Sequence, residues 1–239
     1  MSETDAPTDA DAIAAAAVRL AGERGWRSLP LGDIATEAGV PLSTLARHYI
    51  CRPEILDGFE RMIDRRMLAG AAAGDIGDKP RDRLFDIIME RFDALLPYRD
   101  GVRRIARELP FDPASGLVLA AALPRTVGWM FTGARIAVAG PGMPIKLAAL
   151  SGAYVATLRV WLSDDSQDLG KTMAALDKRL GQAMTFLGGG FGRTRPSEPS
   201  PEAAPPDIAE PEPKPAPKRI RAAKTAKRKA PSPDDGDVG

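Results

Sequence analysis

The chain has one histidine and one cysteine, His48 and Cys51. Three residues apart, they could serve as a base and a nucleophile or as half of a metal site. A tetrahedral metal site takes three or four ligands, and a catalytic site needs several convergent groups. No other histidine or cysteine is there to complete either one, so no catalytic residue, metal or cofactor is assigned. A second candidate is the acidic run Asp164, Asp165, Ser166 and Asp168. These oxygens could surround a cation, but they lack the ligand spacing of a calcium loop. Placed just before a helix, they read as caps for free N–H groups at its positive end. A third candidate is positive: Arg47, His48 and Arg52 follow Ser43 and Thr44 within ten residues. Those side chains could donate to base edges and phosphates.

The elements around that third group give it a frame. In LGDIATEAGVPLSTLARHYICRPEIL, Leu31 to Leu56, Ile34, Ala35 and Ala38 form an apolar stripe at helical spacing. Gly39 stops that helix and tolerates positive φ. Val40 can plug the corner. Ser43 or Thr44 can hydrogen-bond backbone groups at the start of the second helix, while Leu45 and Tyr49 turn back to the core. This is a helix-turn-helix, whose second helix can enter a DNA major groove. Before it, Ile13, Ala16, Ala17 and Leu20 mark a helix that stops at Gly25, with Trp26 just after.

The rest of the chain is also helical by pattern. A fourth helix is predicted from about Arg52 to Met67, with Pro53 in its first turn. AAAGDIGDKP reads as a loop or frayed end. Arg81–Leu96 is amphipathic through Leu84, Phe85, Ile88, Phe92, Leu95 and Leu96. Val102–Leu109 is a shorter helix closed by Pro110 and Pro113. An apolar helix near 114–139, the loop GPGMP, and a helix from Ile145 to Leu162 follow. In the last helix Leu169, Met173, Leu176, Leu180, Met184 and Leu187 step by four, three, four, four and three residues, one face of an α-helix. No strand-like alternation competes, so the fold class is all-α.

Composition narrows the function classes. The net charge is +1 and 44% of residues are hydrophobic, so no bulk field favours nucleic acid or membrane. A single cysteine excludes an internal disulfide and fits a reducing cytoplasm. The acidic start MSETDAPTDADA lacks the basic region of a signal peptide. Ala114–Gly140 is apolar enough to raise a membrane span, but Pro124, Arg125 and Arg135 interrupt it. A buried bundle helix is the expectation, because an arginine mid-membrane is costly. After Leu187 come Pro, Ala and Glu, then the basic PKRIRAAKTAKRK and the acidic PDDGD. That composition predicts a disordered tail. The expected organisation is an acidic arm at 1–10, a helix-turn-helix module at 11–70, a ligand-binding and dimerisation domain at 71–187, and the tail at 188–239.

GERGW, DIATEAGV and TLARHY, in that order and spacing, resemble the TetR family of one-component regulators. The resemblance implies a dimer that binds operator DNA. In such proteins a tyrosine after the Thr-Leu pair and a lysine at the start of the following helix usually touch phosphates. Ala46 and Arg52 stand there in this chain, and Ala46 has no donor. Residues 11–70 carry eight arginines and eight acidic residues, whereas DNA affinity rests on phosphate neutralisation. The basic run between Lys214 and Lys229 could supply charge, without sequence choice, to DNA or anionic lipid.

WLSDDSQDLGKTMAALDKRL, Trp161–Leu180, has a Trp-Leu helix end, an Asp-x-Ser-x-Asp cap, and a helix bearing Thr172 and Leu176-Asp177. With RLFDIIMERFDALLPYRDGVRRIARELP and the Trp129-centred apolar helix, it resembles the ninth Coq protein family, accessory lipid-binding proteins of ubiquinone biosynthesis, over about residues 80–187. That likeness implies a TetR fold used as a non-enzymatic dimeric lipid binder. Such a protein presents quinone precursors to a hydroxylase; for this chain the expected location is the cytoplasm, with a peripheral place at the inner membrane as the further option. Phe92, Trp129, Met130 and Tyr154 are the expected walls of an isoprenoid or quinone pocket, with room left by Gly116, Ala120–Ala122, Gly128, Gly133 and Ala134. Three readings stand: a lipid-binding accessory protein, a ligand-responsive repressor using Ser43, Thr44, Arg47, His48 and Arg52, and a plain dimeric scaffold.

Overall fold

The structure, a computed structural model, describes residues 8–73, 79–137, 140, 142–166 and 168–186. The expected tail at 188–239 and most of the acidic arm lie outside the described residues. Among the described residues there are nine α-helices and no strand: α1 (Asp9–Arg24), α2 (Leu31–Glu37), α3 (Leu42–His48), α4 (Arg52–Ala73), α5 (Pro80–Leu95), α6 (Arg99–Glu108), α7 (Pro113–Gly133), α8 (Met143–Trp161) and α9 (Gly170–Phe186). Two short 3-10 turns, Leu96–Tyr98 and Leu109–Phe111, join α5 to α6 and α6 to α7.

α1 is buried nearly all round because its side chains are small. Ile13, Ala14, Ala16, Ala17, Val18 and Ala21 are inaccessible, and α2, α3, α4 and α6 pack about it. Asp9 and Ala10, expected in the arm, form its first turn. The Thr8 hydroxyl accepts from the Asp11 amide at 3.3 Å, and Asp9 and Asp11 face the positive helix end. Against α6 the approach is close. A Cβ on Gly101 would lie 1.9 Å from the Val18 carbonyl oxygen, so only glycine fits that crossing.

The α2–α3 corner follows from Gly39, whose φ is 70°. Its amide donates to the Thr36 carbonyl at 3.1 Å, and Val40 N–H reaches the Ala35 carbonyl at 3.0 Å. These two bonds form a Schellman stop, with Val40 packed on the core. Leu45 and Tyr49 are buried. Trp26 fills the base of this module. Its indole donates to the Ser115 hydroxyl at 3.0 Å and its amide to Glu108 at 3.0 Å.

Several boundaries moved from their predicted places. α4 continues to Ala73, past Met67, and packs along α7, α5 and α1. α5 ends at Leu95, leaving Leu96 in the 3-10 turn and about half exposed. α6 begins at Arg99 rather than Val102. α7 stops at Gly133, well short of 139, because Arg135 turns left-handed at φ 54°. It is the one described helix long and apolar enough to span a membrane, yet only a third of that window is buried. Leu117 is 72% exposed and Trp129 43%, so α7 is not the enclosed bundle helix its composition predicts. Pro113, Ala114, Leu117, Ala120, Ala121 and Pro124 instead make one exposed, largely apolar stripe.

Candidate functional site

The recognition helix keeps its shape and exposes one cation, Arg47, beside His48. Pro41 precedes α3, and no side chain caps it. Ser43 is exposed and bonds nothing among the described residues; Thr44 is buried, and its hydroxyl accepts from Arg47 Nη2 at 2.9 Å. The expected cap by Ser43 or Thr44 is therefore absent, because proline already sets the extended entry into the helix. Arg52, expected to meet phosphate, folds inward. Its Nη1 donates to the Trp26 carbonyl at 2.7 Å and to the Arg27 carbonyl, with the guanidinium over the Trp26 ring. His48 is exposed. Apolar residues share that surface: Leu42 is 55% exposed and Ile50, just past the helix, 82%, with Ala46 also exposed.

The four expected pocket residues separate into two places. Phe92 is sealed in the core, stacked on Tyr154 at 5.9 Å and on Trp161 at 5.6 Å. Tyr154 and Met130 are buried as well. Trp129 stands apart on an open groove of about 420 Å³ with Pro124, Arg125, Gly128, Ile136, Met143 and Leu147. The split follows helix geometry, since Trp129 and Met130 are adjacent and cannot share a face. Nor do Gly133 and Ala134 leave room for a ligand. A Cβ on Gly133 would meet Ile87 at 2.6 Å, and Ala134 is inaccessible. Gly128 borders open space. A second apolar groove, about 630 Å³, runs between α8 and α9 past Pro144, Ile145, Ala148, Ala149, Gly152 and Ala183.

A buried charge network behind Trp129 was not anticipated. Arg91 is inaccessible; its Nη1 donates to Asp64 at 2.5 Å, its Nη2 to Glu60, and its Nε to the Tyr154 hydroxyl at 3.0 Å. Thr126 donates to Asp64 at 3.2 Å, and Arg125 reaches Asp57 at 2.7 Å. The cluster therefore ties α4, α5, α7 and α8 together. Burial pushes the Glu60 carboxyl up, with Arg91 opposing it. Burial also disfavours the Arg91 charge, but Tyr154, Glu60 and Asp64 hold that guanidinium firmly protonated. A signal for this network was present in the sequence. Arg91 lies on the apolar face of α5 between Ile88 and Leu95, and Glu60 and Asp64 are one turn apart on α4.

At the far end of α8, Asp164 carries out the capping read from the acidic run. Its Oδ2 accepts from the Thr172 amide and hydroxyl, both at 2.8 Å, and its Oδ1 from Ser166. The Ser166 hydroxyl, and after it Thr172, hold the Asp164 carboxyl well below the usual carboxylate range against the effect of burial. Arg99 clamps the same corner through the Trp161 carbonyl at 2.6 Å and the Asp164 carbonyl. Asp168 accepts from Gly170 N–H at 3.2 Å. These bonds use the oxygens that a cation would need. Among the described residues no group of three His, Cys, Asp or Glu is placed to hold a metal.

A helix-turn-helix on α1–α3 above a bundle of longer helices is the TetR-like fold, and solved structures agree. A TetR transcriptional regulator from Nitrosomonas europaea ATCC 19718 is 26% identical, aligns over 74% of this chain and 99% of its own, and superposes with a TM-score of 0.60. A putative TetR-family transcriptional regulator from Rhodococcus sp. is 20% identical over 74% of this chain and 97% of its own, TM-score 0.51. A TetR transcriptional regulator from Rhodococcus sp. RHA1 is 17% identical over 74% and 95%, TM-score 0.54. The last two speak for the fold alone. Residues 145–187, which hold most of α8, the Asp164 cap and α9, match the family model described as COQ9. No curated protein matches the chain.

Proposed function

We propose that this chain is a non-enzymatic, lipid-binding accessory protein of ubiquinone biosynthesis that uses a TetR-like fold. The observation that carries the reading is the COQ9 match across residues 145–187, because fold alone does not assign function. The recognition helix supports it from the other side: of the two positions where the TetR likeness implies phosphate contacts, Ala46 has no donor and Arg52 is engaged internally. The ligand would be an isoprenoid or quinone-like lipid seated in the Trp129 groove, where apolar walls offer dispersion and burial. The exposed stripe of α7 would then face a membrane surface or a hydroxylase partner. A homodimer would form across the α8–α9 groove, where Ile145 is 55% exposed.

The deciding experiment is mass spectrometry of organic extracts from the chain purified out of a quinone-producing host. A quinone or isoprenoid lipid in the parent, reduced in Gly128→Leu at unchanged helix content, is the expected result. Extracts free of such lipid from every variant would sink the reading. Light scattering tests the dimer separately; a monomer mass at micromolar concentration removes it.

A ligand-responsive repressor is the second reading, favoured by the Nitrosomonas europaea regulator, which this chain matches over nearly all of that protein's length. Ser43, Arg47 and His48, exposed on α3, would be its reading residues. Nanomolar binding to one operator at physiological salt would establish it.

A further inference from the structure

We propose that the cleft between α1 and the start of α6 is a binding site for a phosphate-bearing group, separate from the Trp129 groove. The cleft holds about 490 Å³. Five arginines line it, Arg19 from α1 and Arg99, Arg103, Arg104 and Arg107 from α6, against two carboxylates, Glu23 and Asp100. Two more carboxylates lie at its edge, Glu108 paired with Arg104 and Asp165 beside Arg99 and Arg103, which leaves Arg19 and Arg107 as the lining arginines without an ion pair.

The backbone explains why the charges converge. Gly22 and Gly101 let α1 and α6 nearly touch: a Cβ on Gly22 would lie 3.1 Å from the Gly101 amide. The long side chains beside that contact must lean out over one cleft. Three of them are already oriented by the protein. Arg99 bonds the Trp161 carbonyl at 2.6 Å, Arg103 the Leu162 carbonyl at 2.8 Å, and Arg104 the Glu108 carboxylate at 2.6 Å. Carbonyl partners fix a guanidinium without neutralising it, so Arg99 and Arg103 keep their charge for a ligand. Two exposed carboxylates compete for them at longer range: Asp165 accepts from Arg103 at 3.4 Å and lies 3.9 Å from Arg99, and Asp100 lies 3.7 Å from Arg103. Arg19 and Arg107 have neither an ion pair nor a hydrogen bond to any described residue and stand exposed at the rim. The first turn of α6 also borders the cleft, and no side chain caps it, so its dipole adds to the field.

Guanidinium pairs match phosphate oxygens in a planar, bidentate fashion. The arginines come from both walls of a concavity, so the group that reaches them must be small enough to enter. A mono- or diphosphate meets that condition, whereas a duplex backbone would touch only the rim. The phosphate could belong to a soluble ester or to a lipid headgroup, with Leu96, about half exposed, lining the same cleft.

The test uses the full chain and three probes: inorganic pyrophosphate in titration calorimetry, vesicles of phosphatidylglycerol against phosphatidylcholine, and a DNA duplex in a retention assay. The variant is Arg19→Gln with Arg107→Gln, whose exposed side chains have no partner to lose. Arg24→Gln with Arg65→Gln removes equal charge elsewhere. Pyrophosphate binding that weakens by about tenfold or more in the first pair and stays unchanged in the second is expected. The same dependence seen only with phosphatidylglycerol vesicles upholds the site and assigns it to a lipid headgroup. The site is overturned if the parent binds neither pyrophosphate nor the phosphatidylglycerol vesicles, or if both double variants weaken binding equally. It is also overturned if only duplex DNA retention depends on Arg19 and Arg107.

Discussion

The helix-turn-helix and the α8–α9 pair both keep their internal contacts, but they treat their polar residues differently. In α2–α3, Ile34, Ala35 and Leu45 are buried and Gly39 makes its corner. The surface that would read DNA mixes Leu42, Ala46 and Ile50 with Ser43, Arg47 and His48, while Arg52 is turned onto backbone carbonyls. Around α8–α9, the polar groups stay at work. Asp164 caps α9, Arg99 holds the corner, and Arg91 bonds Tyr154 within the core. A corner of the first kind needs only small apolar residues and one glycine, so its outer face can change freely. A buried polar joint cannot, since losing one partner strands the others.

The largest effect that would break this contrast is at Arg91. Arg91→Ala takes the ion pair from Glu60 and leaves the buried Asp64 only a longer contact with Arg125, and should cost about 3–5 kcal/mol. Urea unfolding measures it; a loss as small as that of a surface arginine would mean the network contributes nothing to the joint.

Asp164→Asn comes next, at about 1–3 kcal/mol, because the Thr172 amide and hydroxyl lose a charged acceptor in a buried corner. It also has a pH signature. The folded-state carboxyl lies below its unfolded value of about 3.9. Its contribution is therefore complete above that pH and is lost as pH falls from about 4 toward the lower folded value. The parent should lose stability on acidification below about pH 4 more steeply than Asp164→Asn does. Parallel acid profiles would show that the carboxylate does not hold the cap.

Arg52→Gln sharpens the other side of the comparison. It should lower stability by about 1 kcal/mol through the lost carbonyl contacts and leave the salt dependence of DNA retention unchanged. A salt slope that drops by about one would reassign Arg52 to phosphate. The smallest effects belong to Ser43→Ala and His48→Ala, each within about 0.5 kcal/mol. A clear loss of binding to a single operator in either one would favour the repressor.

Much of the architecture was legible because it is local. Ile34, Ala35, Gly39 and Leu45 determine the helix-turn-helix within fifteen residues, and Leu169 to Met184 declare α9 by spacing alone. The acidic run declared its cap for the same reason, as Asp164 reaches only to Thr172. The pocket was not legible in this way. Phe92, Trp129, Met130 and Tyr154 share a chemical type, and type does not say which face a residue occupies.

The sequence by itself therefore determined the all-α class, the corner at Gly39, the register of α9 and the role of Asp164, since each depends on neighbours within a turn or two. Tertiary structure decided what depends on distant partners. It turned Arg52 onto Trp26, buried Arg91 between Asp64 and Tyr154, left Trp129 on an open groove, and brought Arg19 and Arg107 to one cleft. Side chains such as arginine and tryptophan are amphipathic and stable either buried or exposed. Their placement is settled by which helix packs across from them, and no local pattern carries that information.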